Sequence, residues 1–205
     1  MKKLRARESL VVCLSGDSIS QGYNASGLTK APPQMPAYGE LVALGLEKAY
    51  GSKITFRNFA VAGWSSDQGL ADARRVAAAK PDLVIIAYGM NDTGKPAAKF
   101  AANVRGIIEE VRKGSPAAEF ILVAPMLGNA EWHALRMESF PAFRDALGAL
   151  AAAEQGAALA DLTSLWAELL KRKSFLDLTG NGVNHPNDFG HRLYAQVLLA
   201  MLVEK

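Results

Sequence analysis

The chain has one cysteine, Cys13, among 205 residues, which rules out an intrachain disulfide and any zinc site built from several thiolates. Its histidines, His133, His185 and His191, are scattered and too few for the ligand sets of metal-dependent phosphoesterases, so no metal and no cofactor are expected. No Gly-x-Gly-x-x-Gly or Gly-Lys-Ser/Thr fingerprint follows an apolar run, which disfavours a nucleotide-phosphate cradle. The net charge of +3 comes largely from Lys2, Lys3, Arg5 and Arg7, with Lys171, Arg172 and Lys173 as a second cluster. No aromatic-interleaved basic stripe accompanies them, so they read as solvated surface and exclude a nucleic-acid partner. Only the short apolar run Leu10–Leu14 follows the basic start, too little for a signal peptide and far too little for a membrane span. The expectation is a cytoplasmic protein without a membrane partner. With 50% hydrophobic and 21% charged residues, the chain reads as one domain over residues 1–205, large enough for a sizeable core.

What is present is organised around Ser9–Ser20, SLVVCLSGDSIS. The run Leu10–Leu14 predicts a buried strand that stops at Gly16-Asp17-Ser18 and delivers a serine into a turn. Similar runs predict strands over Lys53–Phe59, Asp82–Tyr88, Glu119–Pro125 and Ala157–Leu162. Between them lie helical periods: Tyr38, Leu41, Val42, Gly45 and Ala49; a segment near Asp67–Ala79; Phe100, Val104, Ile107, Ile108 and Val111; and Phe140, Phe143, Leu147 and Leu150. A helix bearing Leu165, Trp166 and Leu169 follows the last strand, and a terminal helix capped by Asn187 or Asp188 bears Phe189, Leu193, Val197 and Met201. Residues 24–34 and 171–186 read as loops. This alternation implies an α/β three-layer sandwich around a five-stranded parallel sheet. Right-handed crossovers put the loops at Ser18, Gly63 and Asn91 on one edge, and a flavodoxin-like order 2-1-3-4-5 sets the first strand between the next two.

Acyl transfer from a serine needs a base for the hydroxyl proton and donors for the developing oxyanion. His185 stands in a loop just before the terminal helix and is the candidate base; His191 falls inside that helix and His133 in a loop. Tyr23, Trp64 and Trp132 sit in loops that could line a pocket, whereas Trp166 lies on a helix face and reads as packing. Asp17 and Asp92 invite a metal reading, but Asp17 is better placed to hold the Ser18 turn through backbone N–H groups.

Gly16-Asp17-Ser18-Ile19, an Asn-x-Ala-x-x-Gly run ending at Gly63, Gly89-x-Asn91-Asp92 and His185-Pro186-Asn187-Asp188 occur in this order, and together they resemble the SGNH hydrolases, the GDSL esterase and lipase family. The resemblance implies Ser18 as nucleophile, His185 as base, and an oxyanion hole from the backbone N–H groups of Ser18 and Gly63 with the side-chain amide of Asn91. One departure stands out. Most members of that family carry an aspartate three residues before the histidine, and here that position is Gly182. Either His185 works in a dyad oriented by a backbone carbonyl, which is the preferred reading, or Asp177 or Asp188 supplies the acid. The implied activity is that of a serine esterase on small or medium acyl esters through an acyl-enzyme. The stretch Asn181–Phe189 looks most like members that deacetylate carbohydrates, which makes an acetylated sugar the first substrate expectation. The alternatives are a lysophospholipase or thioesterase and, from another class, a non-catalytic carbohydrate-binding protein.

Overall fold

The computed structural model describes residues 2–204. A short helix α1 (Lys2–Arg5) precedes strand β1 (Leu10–Gly16). Two single-turn helices, α2 (Ser18–Gln21) and α3 (Ser26–Thr29), lead to α4 (Tyr38–Tyr50) and β2 (Ile54–Asn58). Next come α5 (Ser66–Ala71), α6 (Ala73–Ala78), β3 (Leu83–Ala87), α7 (Ala97–Gly114) and β4 (Glu119–Ala124). The chain closes with α8 (Ser139–Ala153), β5 (Ala157–Asp161), α9 (Leu162–Leu169), α10 (Phe175–Leu178) and α11 (Asp188–Leu202). The sheet is parallel throughout, in the expected order β2-β1-β3-β4-β5.

Successive strand residues point to opposite faces, and both faces are covered. Leu10, Val12 and Leu14 of β1 join Leu83 and Ile85 of β3 and Ile121 and Val123 of β4 in one core, closed by α4, α9 and α11. Cys13, Val84, Ile86, Phe120 and Leu122 point the other way into a second core, closed by α6, α7 and α8. Near-continuous apolar runs in β1, β3 and β4 are what this two-sided burial requires. Among the described residues no helix is long and apolar enough to cross a membrane.

Several expectations need correction. The segment 67–79 is two helices meeting at Asp72, and the stretches read as loops contain α3 and α10. In α4 the buried face is Tyr38, Gly39, Val42, Ala43 and Leu46, and Ala49, in the last turn, is exposed. In α11 Phe189 and Met201 are exposed, and the inward face is His191, Tyr194, Ala195, Leu198 and Leu202. A period read from apolar residues alone misses a face that begins with a buried imidazole.

Gly16 connects this fold to its strand-end edge. A Cβ there would stand 2.6 Å from Ser20 Cβ and 2.7 Å from the Ala87 carbonyl oxygen, so the turn leaving β1 closes only over a glycine. Gly16→Ala is therefore expected to lose about 1–3 kcal/mol by overpacking, measured by urea unfolding.

Candidate active site

Ser18 is the first residue of α2, one step past the Gly16-Asp17 turn, and is 6% exposed. Asp17 is extended and caps the helix by accepting the Ile19 N–H at 3.0 Å, which sets the direction of the Ser18 side chain. On either side of the turn, Ser15 Oγ pairs with Tyr88 Oη at 2.9 Å and Ser20 Oγ with Tyr38 Oη at 2.6 Å. Burial, reinforced by the nearby charge of Asp92, pushes the Asp17 carboxyl up to about 7.

The loop after β2 is tied to this turn by three bonds. Val61 donates its N–H to the Gly16 carbonyl at 3.1 Å, Ala62 donates to the Gln21 side chain at 2.9 Å, and the Asn58 amide donates to the Ser20 carbonyl at 2.8 Å. Gly63 follows with φ +78°, where a Cβ would meet nothing within 4 Å; glycine is there for its backbone conformation and not for space. Among the described residues no acceptor takes the N–H of Ser18 or of Gly63. After β3, a 3-10 turn over Met90–Asp92 presents Asn91, whose amide donates to the Trp64 carbonyl at 3.0 Å through one of its two hydrogens. Asp92, fully buried, fixes this turn to the start of α5. It accepts the Ser66 N–H at 3.0 Å, the Ser66 hydroxyl at 2.6 Å and the Lys95 ammonium at 3.0 Å. The three strand-end loops thus form one hydrogen-bonded unit.

His185 arrives from the far end of the chain on a loop closed by an antiparallel bridge between Thr179 and Pro186 and by a Gly180 N–H bond to the His185 carbonyl at 3.0 Å. Asn187 caps α11 by accepting the Gly190 N–H. Asn129, in the loop after β4, braces the same loop by donating its backbone N–H to Val183 and its amide to the Gly182 carbonyl at 2.8 Å. His185 Nε2 lies 2.8 Å from Ser18 Oγ, and the Tyr23 ring flanks the imidazole with centroids 5.2 Å apart. Burial holds the His185 pKa below its ordinary value of 6.5.

The other nitrogen of His185 has a partner that the sequence reading did not name. Asn181 Nδ2 lies 3.0 Å from His185 Nδ1. Neither candidate acid takes that place, nor does a backbone carbonyl. Asp188 accepts the Ser26 N–H at 2.7 Å and so holds the start of α3, and Asp177 closes a capping box with Ser174 at the start of α10. A search for acids passes over Asn181, yet an Asx residue beside a glycine in a tight loop is a recognisable turn former. Of the other histidines, His133 is exposed, and His191 is fully buried with Nε2 donating to the Tyr23 carbonyl at 3.1 Å. Trp64 packs against the second core, whereas Tyr23 and Trp132 are each 39% exposed. Asp17 and Asp92 are committed to backbone N–H groups, and among the described residues no three His, Cys, Asp or Glu side chains converge as a metal ion would need.

A serine hydroxyl on an imidazole, beside free N–H donors at the ends of parallel strands, is an arrangement with relatives. The family model described as GDSL-like Lipase/Acylhydrolase matches residues 14–193. The chain belongs to that family. No curated protein matches it in sequence. Among solved structures it is similar to a two-domain esterase active on acetylated mannans, with TM-score 0.79 and 24% identity over 98% of this chain and 52% of the other. It also resembles an acetylxylan esterase from Geobacillus stearothermophilus (TM-score 0.73, 20% identity, 96% of this chain and 95% of the other). A third is a lipase/acylhydrolase from Enterococcus faecalis (TM-score 0.74, 20% identity, 94% and 95%). The chain spans about half the length of the two-domain esterase, and at these identities the likeness is one of fold.

Two pH effects follow for this GDSL-family protein. An imidazole whose pKa is lowered by burial is neutral, and able to accept a proton, down to a pH below 6.5. The acid limb of kcat/KM is therefore expected to fall with its midpoint below that value. The Asp17 shift has the opposite sign in stability. Its folded-state pKa is raised from 3.8 to about 7, so it favours the fold at low pH and this contribution is lost as pH rises through about 7. Asp17→Asn keeps the cap acceptor without the ionisation. Its urea-unfolding stability relative to the natural chain is expected to rise between acidic and alkaline pH.

Proposed function

We propose that the protein is a serine esterase acting through an acyl-enzyme, with O-acetylated carbohydrates as its substrates. The observation that carries the reading is the 2.8 Å contact between Ser18 Oγ and His185 Nε2. Ser18 Oγ attacks the ester carbonyl carbon while its proton passes to Nε2, and the resulting oxyanion sits against the N–H groups of Ser18 and Gly63 and the second amide hydrogen of Asn91. Collapse breaks the bond to the sugar oxygen, which leaves as the alcohol with the proton from His185. Water then gives a proton to His185 and attacks the acyl-serine, releasing the carboxylic acid and restoring the Ser18 hydroxyl.

Two observations support a sugar as the alcohol. Exposed aromatic faces suit pyranose rings, and Tyr23 packs on His185 while Trp132 rides on the loop that Asn129 fastens to the histidine loop. The solved structures similar to this fold include a two-domain esterase active on acetylated mannans and an acetylxylan esterase. Two structures of the acetylxylan esterase are catalytic mutants, one at a serine and one at an aspartate. The reading includes a small-molecule ester as the only partner. A cytoplasmic location is part of the same proposal, supported by the lone thiol of Cys13, which is buried in β1 and pushed up to about 11.

Hydrolysis of p-nitrophenyl acetate, butyrate and octanoate, and acetate release from acetylated xylo- and manno-oligosaccharides, test this. Acetyl esters are expected to be preferred, and Ser18→Ala is expected to abolish turnover. A preference for octanoate would support the lysophospholipase or thioesterase reading, and sugar binding without any ester turnover would support a binding protein. Asn91→Ala is expected to lose about 2.7–4 kcal/mol of transition-state stabilisation as one missing oxyanion donor, with the melting temperature almost unchanged.

A further inference from the structure

We propose that Asn181 is the residue that sets the proton position on His185, and that it sets it on Nε2, the tautomer that cannot accept the Ser18 proton. The inference rests on the esterase reading for its kinetic consequence, though not for its geometry.

The carboxamide of Asn181 has only one orientation open to it. Its Oδ1 accepts the backbone N–H groups of Val183, Asn184 and His185, each at 3.0 Å. Turning the amide over would set an NH2 group against three N–H donors, so Nδ2 has to face outward from this nest. Nδ2 carries two hydrogens and both find acceptors: Asn184 Oδ1 at 3.0 Å and His185 Nδ1 at 3.0 Å. An amide nitrogen has no lone pair to offer, so Nδ1 is the acceptor, and in the neutral ring the proton is on Nε2. Nε2–H then donates to Ser18 Oγ across the 2.8 Å contact. Base catalysis requires the reverse, with Nδ1–H and a free lone pair at Nε2. The resting site is a Ser–His pair held in its idle tautomer, and turnover draws on the minor one.

A carboxylate would fit the same nest. In an Asn181→Asp variant one carboxylate oxygen would keep the three backbone N–H groups, and the other would accept Nδ1–H, with the Asn184 amide turned to donate. Ser18, Tyr23 and Asn181 face the ring, and His191 is electrostatically coupled to it. The only new charge in the variant is therefore the one placed at Nδ1.

The test is Asn181→Asp, assayed on p-nitrophenyl acetate, together with imidazole nitrogen NMR shifts of His185 in the natural chain and the variant at a pH where the ring is neutral. The expected result is an Nε2–H tautomer in the natural chain and an Nδ1–H tautomer in the variant. Turnover should rise about tenfold or more with KM unchanged, within a ceiling on the order of 10⁴, the loss that an asparagine in place of an orienting aspartate causes in a serine protease. The acid limb of kcat should move to higher pH, because a carboxylate favours the imidazolium. A proton found on Nδ1 in the natural chain overturns the inference, and so does a folded variant with unchanged or lower turnover. Should the variant fail to fold, the tautomer in the natural chain decides alone. Turnover that survives Ser18→Ala would instead overturn the esterase centre and leave the tautomer assignment standing.

Discussion

A single hydrogen bond between a serine just past the end of β1 and a histidine 167 positions later is the contact that the rest of the molecule has to keep. Neither residue could hold the geometry alone, since Ser18 opens a single-turn helix and His185 sits on a loop. The parallel sheet brings the loops together because every right-handed crossover returns the chain to the same edge. The final alignment comes from local devices on both sides. Gly16 and Asp17 fix where Ser18 points, while the Thr179–Pro186 bridge, the Asn187 cap and the Asn129 brace fix where His185 points. An arrangement held from several elements tolerates little freedom, which suits a proton transfer that needs heavy atoms within about 2.6–3.2 Å.

The acids near this contact serve the backbone. Asp17, Asp92, Asp177 and Asp188 each accept N–H groups at the start of a helix, at α2, α5, α10 and α3 respectively. Negative charge is favourable at such termini, and each bond satisfies a donor that a helix start leaves unpaired. Asp92 is the most deeply committed, since Lys95 supplies a counter-charge inside the fold and is shared with Asp67. Among the described residues Asp17 has no such cation, and burial, reinforced by the charge of Asp92, raises its pKa.

The architecture was legible in the sequence because two-sided burial leaves long apolar runs. β1, β3 and β4 fall where those runs lie, and the serine, glycine, asparagine and histidine loops stand at strand ends or before a helix cap in chain order. Legibility failed where a polar group does the work of an apolar one. His191 opens the buried face of α11, and counting only hydrophobic positions rotates that face onto Phe189 and Met201. It failed again at Asn181, because a missing acid prompts a search for another acid, whereas the fold fills the position with an amide. Asn129 could not have been found by pattern, since half of its bracing is through its main chain.

Burial accounts for the sign of the His185 shift, and the amide at position 181 does not oppose it. A carboxylate at Nδ1 would oppose desolvation by favouring the imidazolium, but a neutral carboxamide leaves burial as the one cause acting on the ring. The ring therefore stays neutral to a lower pH than a free imidazole does. The same amide supplies a donor where the reaction needs an acceptor, and it cannot turn over without opposing three backbone N–H groups. Burial and this side chain thus act in opposite directions: burial disfavours the protonated ring, which favours proton abstraction, and the amide sets the tautomer that opposes it. With the imidazolium disfavoured by burial, the tautomer is the point at which this centre is restrained, and relief has to come from a change in chemistry at residue 181, since its geometry is already that of an orienting group.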